Sequence, residues 1–109
     1  MKTIGKHEPE NLYGGLEFPE IRDTRVIPDG VAVKRGDILC RDFTPIKNGG
    51  IVDSIALDNI AADEPVRICT VAETGVFNPN ALSTGDDTAP LDWKSDLRKL
   101  SIFLRHPAP

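Results

Sequence analysis

The sequence predicts a small single α+β domain dominated by β structure, with short antiparallel strands and hairpins, one short C-terminal helix and an extended N-terminal arm. Three observations point there. Nine Gly and nine Pro in 109 residues interrupt the chain too often for long helices. The run Val66-Arg67-Ile68-Cys69-Thr70-Val71, bounded by Pro65 and Gly75, is β-branched and apolar, the composition of a buried strand. Near the end, Trp93, Leu97 and Leu100 fall at i, i+4 and i+7, one apolar stripe on a short helix that Thr88 or Asp92 could cap.

Residues 1–25 form the predicted arm. They carry Gly5, Gly14, Gly15, Pro9 and Pro19 among many charges, and no period of 2 or 3.6 is sustained long enough to define an element. Leu12, Tyr13, Leu16 and Phe18 stand out there, because a solvated tail has no reason to carry them. They dock either on the chain's own domain or on another subunit. The compact domain is expected over residues 26–109. It begins with short strands around the Pro28-Asp29-Gly30 and Arg35-Gly36-Asp37 turns. Phe43 to Ile46 and Ile51 to Leu57 then bracket Asn48-Gly49, a strong hairpin signal. Asp58 to Glu64 is a polar connection with room for one helical turn. In the central unit, Gly75 is expected to reverse the chain before Val76-Phe77 and Asn78-Pro79-Asn80. Residues 83–90 read as a loop, and Ser101 to Leu104 as a final strand. Leu39, Ile55, Ile68, Phe77, Leu82, Trp93 and Leu97 are the expected core.

A net charge of −4 argues against nucleic acid and membrane partners, since phosphate neutralisation needs clustered Lys and Arg. No window reaches the ~20 apolar residues of a membrane span, and the first residues lack the apolar stretch of a signal peptide. Use without export is the expectation. Cys40 and Cys69 lie in apolar, strand-like runs and read as buried thiols rather than a bridge.

No catalytic, cofactor-binding or metal residue can be nominated. His7 and His106 sit at opposite ends of the chain, a poor basis for a shared metal. Asp86 and Asp87 are adjacent, so in an extended loop their side chains diverge, and they read as a solvated turn. Ser83 and Thr84 have no neighbouring His or Lys to activate them. The Gly-Gly pairs at 14 and 49 lack the strand-Gly-helix context and Lys of a phosphate loop.

Two resemblances bear on function. Val33, Gly36, Asp37 and Leu39 are similar to the V-x-x-G-D-x-L strand-turn-strand of biotinyl and lipoyl carrier domains, which display a modified Lys at a hairpin tip. Lys47 is the hairpin-tip Lys here, without the Met or Asp neighbours typical of those carriers. The second resemblance spans about Val26 to Leu104. Lys34, Arg35, Gly36 and Leu39, then Ile55-Ala56, then Gly75, Phe77 and Leu82, and finally Leu97 to Leu104 follow the order and spacing of the head decoration (capsid cement) proteins of tailed bacteriophages, the lambda D-like family. Ser54 and Ser101 stand where that family often has Gly before Ile. The resemblance implies a noncatalytic protein without cofactors, made in the host cytoplasm and carried on the outer surface of the virion. It implies homotrimers that bind the major capsid protein and reinforce the expanded shell. Leu12, Tyr13, Leu16 and Phe18 then become candidate capsid contacts, and a chain starting near Thr24 should still fold. The alternative is a small β-module, carrier or binding domain, of a cellular enzyme complex, with a small hydrolase third.

Overall fold

A computed structural model of the protein describes Leu12, Tyr13 and residues 19–106. Five strands, β1 (Ile21–Val26), β2 (Ile38–Cys40), β3 (Val52–Ala56), β4 (Ile68–Phe77) and β5 (Ile102–Leu104), form one small β-dominated domain with a single short helix, α1 (Lys94–Arg98). The sheet runs β1-β4-β3-β2, antiparallel throughout, while β5 pairs in parallel with the end of β4.

Successive strand residues point to opposite faces, and here both faces of the central strands are covered. Ile38, Cys40, Ile55 and Ala72 join a large cluster that includes Phe77, Trp93, Leu97, Ile102 and Leu104. Leu39, Ala56, Cys69 and Val71 join a smaller one with Ile27, Val33 and Ile60. Double coverage explains why these segments read as continuous apolar runs rather than as alternation. It also separates the cysteines, Cys40 on one face and Cys69 on the other, and both are free thiols. Burial pushes the Cys69 thiol above its ordinary pKa.

The central unit departs from expectation at Gly75. β4 does not reverse there but runs on to Phe77, and Gly75 at φ +145° marks a change of partners. Before it, β4 pairs with β1 and β3; after it, Gly75, Val76 and Phe77 pair with Ile102, Phe103 and Leu104. A side chain at Gly75 would meet the Phe77 ring at 3.0 Å, so the residue permits a bend rather than a turn.

Six of the seven expected core residues are buried: Leu39, Ile55, Phe77, Leu82, Trp93 and Leu97. Ile68 is not, with 58% of its surface exposed. It shares a face with Ala72, but it stands at the start of β4, while β5, which together with α1 covers that face, pairs at the strand's far end.

The Asn48-Gly49 turn forms, with Gly49 at φ +91° and the Gly50 N–H donating to the Lys47 carbonyl at 2.9 Å. Its flanks differ from the expected pair. After a bend at Phe43 (φ +66°), residues 44–46 fold back on β2, the Cys40 N–H donating to Thr44 O and the Ile46 N–H to Ile38 O. The chain then crosses so that β3 pairs with the other edge of β2. Three residues buried on both faces take a neighbour on each side, which puts β2 between the two segments.

Asp58 to Glu64 forms turns and no helix. The Arg67 guanidinium fastens it, donating to Ala61 O (2.8 Å) and Glu64 O (3.2 Å) and, across the chain, to Pro28 O (2.8 Å) and Val31 O. At the C-terminal end, a 3₁₀ turn, Pro90–Trp93, leads into α1. Neither proposed residue is the N-cap, which is Ala89. The Asp92 carboxylate instead accepts from the Ala89 N–H at 3.0 Å, and the Thr88 hydroxyl accepts from the Trp93 indole at 3.2 Å. Leu100 lies beyond α1 and is exposed.

Candidate functional site: an open strand edge

The region read as a featureless arm contains β1, which pairs along its length with β4, from Ile21 opposite Thr74 to Val26 opposite Ile68. A chain cut at Thr24 would lose half of this strand. The strand is hard to see in the sequence because its own fold barely buries it: five of its six residues are exposed, so Ile-Arg-Asp-Thr-Arg-Val carries no two-residue alternation of burial.

β1 is the terminal strand of the sheet, and among the described residues no backbone pairs with its outer edge. At the opposite end, β2 is covered by the Leu39–Pro45 bridge and by Asp37 beside Ser83. The two sides of the sheet are therefore unlike. Thr24 lies in a position where its backbone faces the open side: its partner Thr70 directs its carbonyl to the Leu57 N–H and its N–H to the Asp58 carboxylate, away from β1. The Thr24 N–H is met by Asp23 Oδ1 at 2.8 Å, and its carbonyl by Arg25 Nη1 at 3.0 Å. Charged side chains guarding an edge limit indiscriminate pairing with other chains. Arg25 is itself held by Asp53 at 3.0 Å and Glu73 at 2.7 Å, with Phe43 beneath it. These bonds outweigh the cost of its partial burial and keep its pKa above the usual range.

Apolar surface flanks the edge. Val26 is 66% exposed and lies opposite Ile68, and Val66 (61%) shares a shallow depression with Ile68, Ile60, Asp58 and Glu64. Elsewhere, exposed Ile51 and Leu100 line a groove of about 290 Å³ with Arg41, Val52, Asp96 and Lys99. One apolar area is rimmed by acid, and the other is rimmed mainly by base.

Of the four arm residues singled out, Leu12 and Tyr13 dock on their own domain, and Leu16 and Phe18 lie outside the described residues. Leu12 is buried in the large cluster, and its carbonyl accepts from the Asn78 N–H at 2.6 Å. Tyr13 stacks on Phe77 with ring centroids 5.3 Å apart and donates its hydroxyl to Glu20 at 2.6 Å. Burial and that carboxylate raise the phenol's pKa. Burial withdraws Leu12 from the set of candidate capsid contacts, whereas Tyr13 is half-buried and keeps part of its surface open. Near the open edge, Ile21, Val26, Val66 and Ile68 are exposed although the sequence gives no sign of it or places them inside.

The remaining chemistry-bearing residues are dispersed. His7 lies outside the described residues and His106 is exposed; no metal-ligating cluster occurs among the described residues. Lys47 is exposed at the first position of the Asn48-Gly49 turn.

Asp86 and Asp87 are not equivalent. Asp86 accepts from the Asn48 N–H at 2.7 Å, the Thr88 N–H at 3.1 Å and the Thr88 hydroxyl at 2.6 Å, tying the loop to the turn, and these bonds hold its carboxyl below the usual range. Its expected role as a merely solvated residue is thus corrected. A depressed carboxylate stabilises the fold above its unfolded-state pKa, and that contribution is lost as pH falls through the folded-state pKa. Asp86→Ala should therefore melt below Asp87→Ala at neutral pH, and the gap should close in acid; thermal melts across the acid range check this.

Compared with known proteins, the chain matches no family model and, at a significant level, no curated protein sequence.

Proposed function

We propose that the protein is a noncatalytic head decoration protein that assembles as a homotrimer on the outer surface of an expanded phage capsid and stabilises the shell. The observation that carries this reading is β1, a six-residue strand at the end of the sheet that is exposed on both faces and includes exposed Ile21 and Val26. A strand that its own core does not cover gains most from burial against another chain. Its outer main-chain edge, paired with no strand among the described residues, suits strand addition once Asp23 and Arg25 release Thr24. The resemblance in the order of motifs from Lys34-Arg35-Gly36 to the closing Leu97 to Leu104 segment supports the major capsid protein as that chain.

Around a threefold axis, a head-to-tail contact closes into a ring and meets three equivalent patches of an icosahedral lattice. The acid-rimmed Val66/Ile68 area and the mainly base-rimmed Ile51/Leu100 groove are complementary surfaces for such a contact. Once one subunit is attached, the others bind intramolecularly, so modest contacts add up to tight decoration. Thermal protection of expanded, undecorated heads is the test: added protein should raise their melting temperature, and heads that melt unchanged would overturn the reading.

A further inference from the structure

We propose that Asn48 is a site of spontaneous amide loss, and that its conversion to aspartate or isoaspartate loosens the joint between the 44–50 segment and the 83–89 loop. The reaction needs no enzyme. The Gly49 backbone nitrogen gives up its proton and attacks Cγ of Asn48, a C–N bond forms to close a succinimide, and the side-chain nitrogen leaves as ammonia. Water then opens the ring. Opening at the former side-chain carbonyl leaves aspartate; opening at the main-chain carbonyl leaves isoaspartate, with the backbone running through the β-carbon. Overall, one water enters and one ammonia leaves, without oxidation or reduction.

Among the described asparagines, geometry and sequence select Asn48. Its side chain is exposed and makes no hydrogen bond among the described residues. The attacking nitrogen belongs to a glycine whose missing side chain leaves open space, with no heavy atom within 4 Å of where a Cβ would sit, and its N–H donates to no group among the described residues. The alternatives are each obstructed. Asn59 precedes β-branched Ile60, whose N–H is committed to Val33 O at 2.8 Å. Asn78 precedes Pro79, which has no N–H. Asn80 precedes Ala81, whose N–H donates to Asn78 O at 3.0 Å.

The consequence follows from what Asn48 holds. Its backbone N–H donates to Asp86, and the same joint is closed by the Gly85 N–H on Ile46 O at 2.6 Å. That joint has no slack, since a side chain at Gly85 would stand 2.7 Å from the Pro45 carbonyl oxygen. A new carboxylate at position 48 places like charge beside Asp86 and its neighbour Asp87, with Lys47 as the adjoining cation. In the isoaspartate, the added backbone methylene lies between Cα of residue 48 and the Gly49 nitrogen, so it lengthens the turn closed by the Gly50 N–H on the Lys47 carbonyl.

The test is incubation of the folded protein in mildly alkaline buffer, where the Gly49 nitrogen is more readily deprotonated, followed by peptide mass mapping and isoaspartyl methyltransferase labelling. The expected result is a mass gain equal to replacing NH2 by OH, placed at Asn48 by fragment spectra, with Asn59, Asn78 and Asn80 unchanged. Asp29-Gly30 can isomerise by the same route, but without a mass change, so it cannot mimic this signal. Asn48→Gln keeps the backbone N–H and should not convert. Converted protein should melt a few degrees below fresh protein, with a smaller gap at high salt, where exposed charges are screened. Asn48→Asp should reproduce the charge-dependent part at once. If the folded chain stays intact at Asn48 while an unfolded peptide of the same sequence converts, the turn protects the site and the proposal fails. Equal melting of converted and fresh protein would overturn the claimed effect on the joint.

Discussion

Phe77→Ala is expected to cost about 3–5 kcal/mol, the range for truncating a large, fully buried aromatic. Phe77 has no exposed surface, stacks with Tyr13, and belongs to the segment where β4 exchanges β1 and β3 for β5. Truncation would empty the centre of the large cluster and remove the platform on which Leu12 and Tyr13 dock. Ile68→Ala, in the same strand, should cost below about 1 kcal/mol because exposed positions contribute little. Denaturant melts of the two variants check the contrast. Equal losses would mean that Ile68 is covered in the folded protein.

Gly36→Ala is expected to cost about 2–5 kcal/mol, and for two reasons that separate experimentally. Gly36 has φ +98°, where a side chain costs about 1–2 kcal/mol. In addition, an added Cβ would lie 2.5 Å from the Ala81 carbonyl oxygen, and forcing that backbone apart adds about 1–3 kcal/mol. The contact is tight because two segments are sewn together here. The Ser83 N–H donates to Gly36 O at 3.0 Å and the Ile38 N–H to Ser83 O at 2.9 Å, while buried Asp37 accepts from the Lys34 N–H at 2.8 Å and from the Ser83 hydroxyl. Gly30 and Gly49 also have positive φ, but open space where a Cβ would sit. Gly30→Ala and Gly49→Ala should thus show only the conformational part, about 1–2 kcal/mol. If all three variants lost equal stability in thermal or denaturant melts, the Gly36 contact with Ala81 would be irrelevant.

The sequence revealed most clearly those elements whose residues are buried on both faces. β2, β3 and the first half of β4 read as strands because Ile38-Leu39-Cys40, Ile55-Ala56 and Cys69 to Ala72 each supply two cores at once. The stripe Trp93 and Leu97 showed the helix for the same reason, and the Asn48-Gly49 turn was legible because only a few residue types take its backbone conformation. β1 was not legible, because a strand exposed on both faces has no burial pattern to display. The identity of the strand beside β3 was hidden too, since local composition shows that β2 and residues 44–46 are extended but not which lies centrally. Gly75 was ambiguous in principle: a positive φ allows a reversal or a bend, and β5, some 25 residues on, decides between them by pairing with Gly75 to Phe77. The candidate surface suffered most. Leu12 looked available because it lies in a charged segment, whereas Ile68 looked buried because it lies in an apolar one; their positions relative to the two cores reverse both readings.

In the proposed function β1 meets the shell, and thermal unfolding of expanded, undecorated heads with added protein is the measurement that decides it. A protein that binds only the assembled shell raises its melting temperature by mass action. Thr24→Pro is the matched control. It removes an N–H that faces the open edge rather than β4, and proline is tolerated on an edge strand in that orientation, so the variant should keep its own fold as judged by circular dichroism. Wild-type protein should raise the melting temperature of the heads, and Thr24→Pro, at the same concentration and still folded, should protect them much less. Heads that melt at the same temperature with and without the wild-type protein would contradict the proposed function.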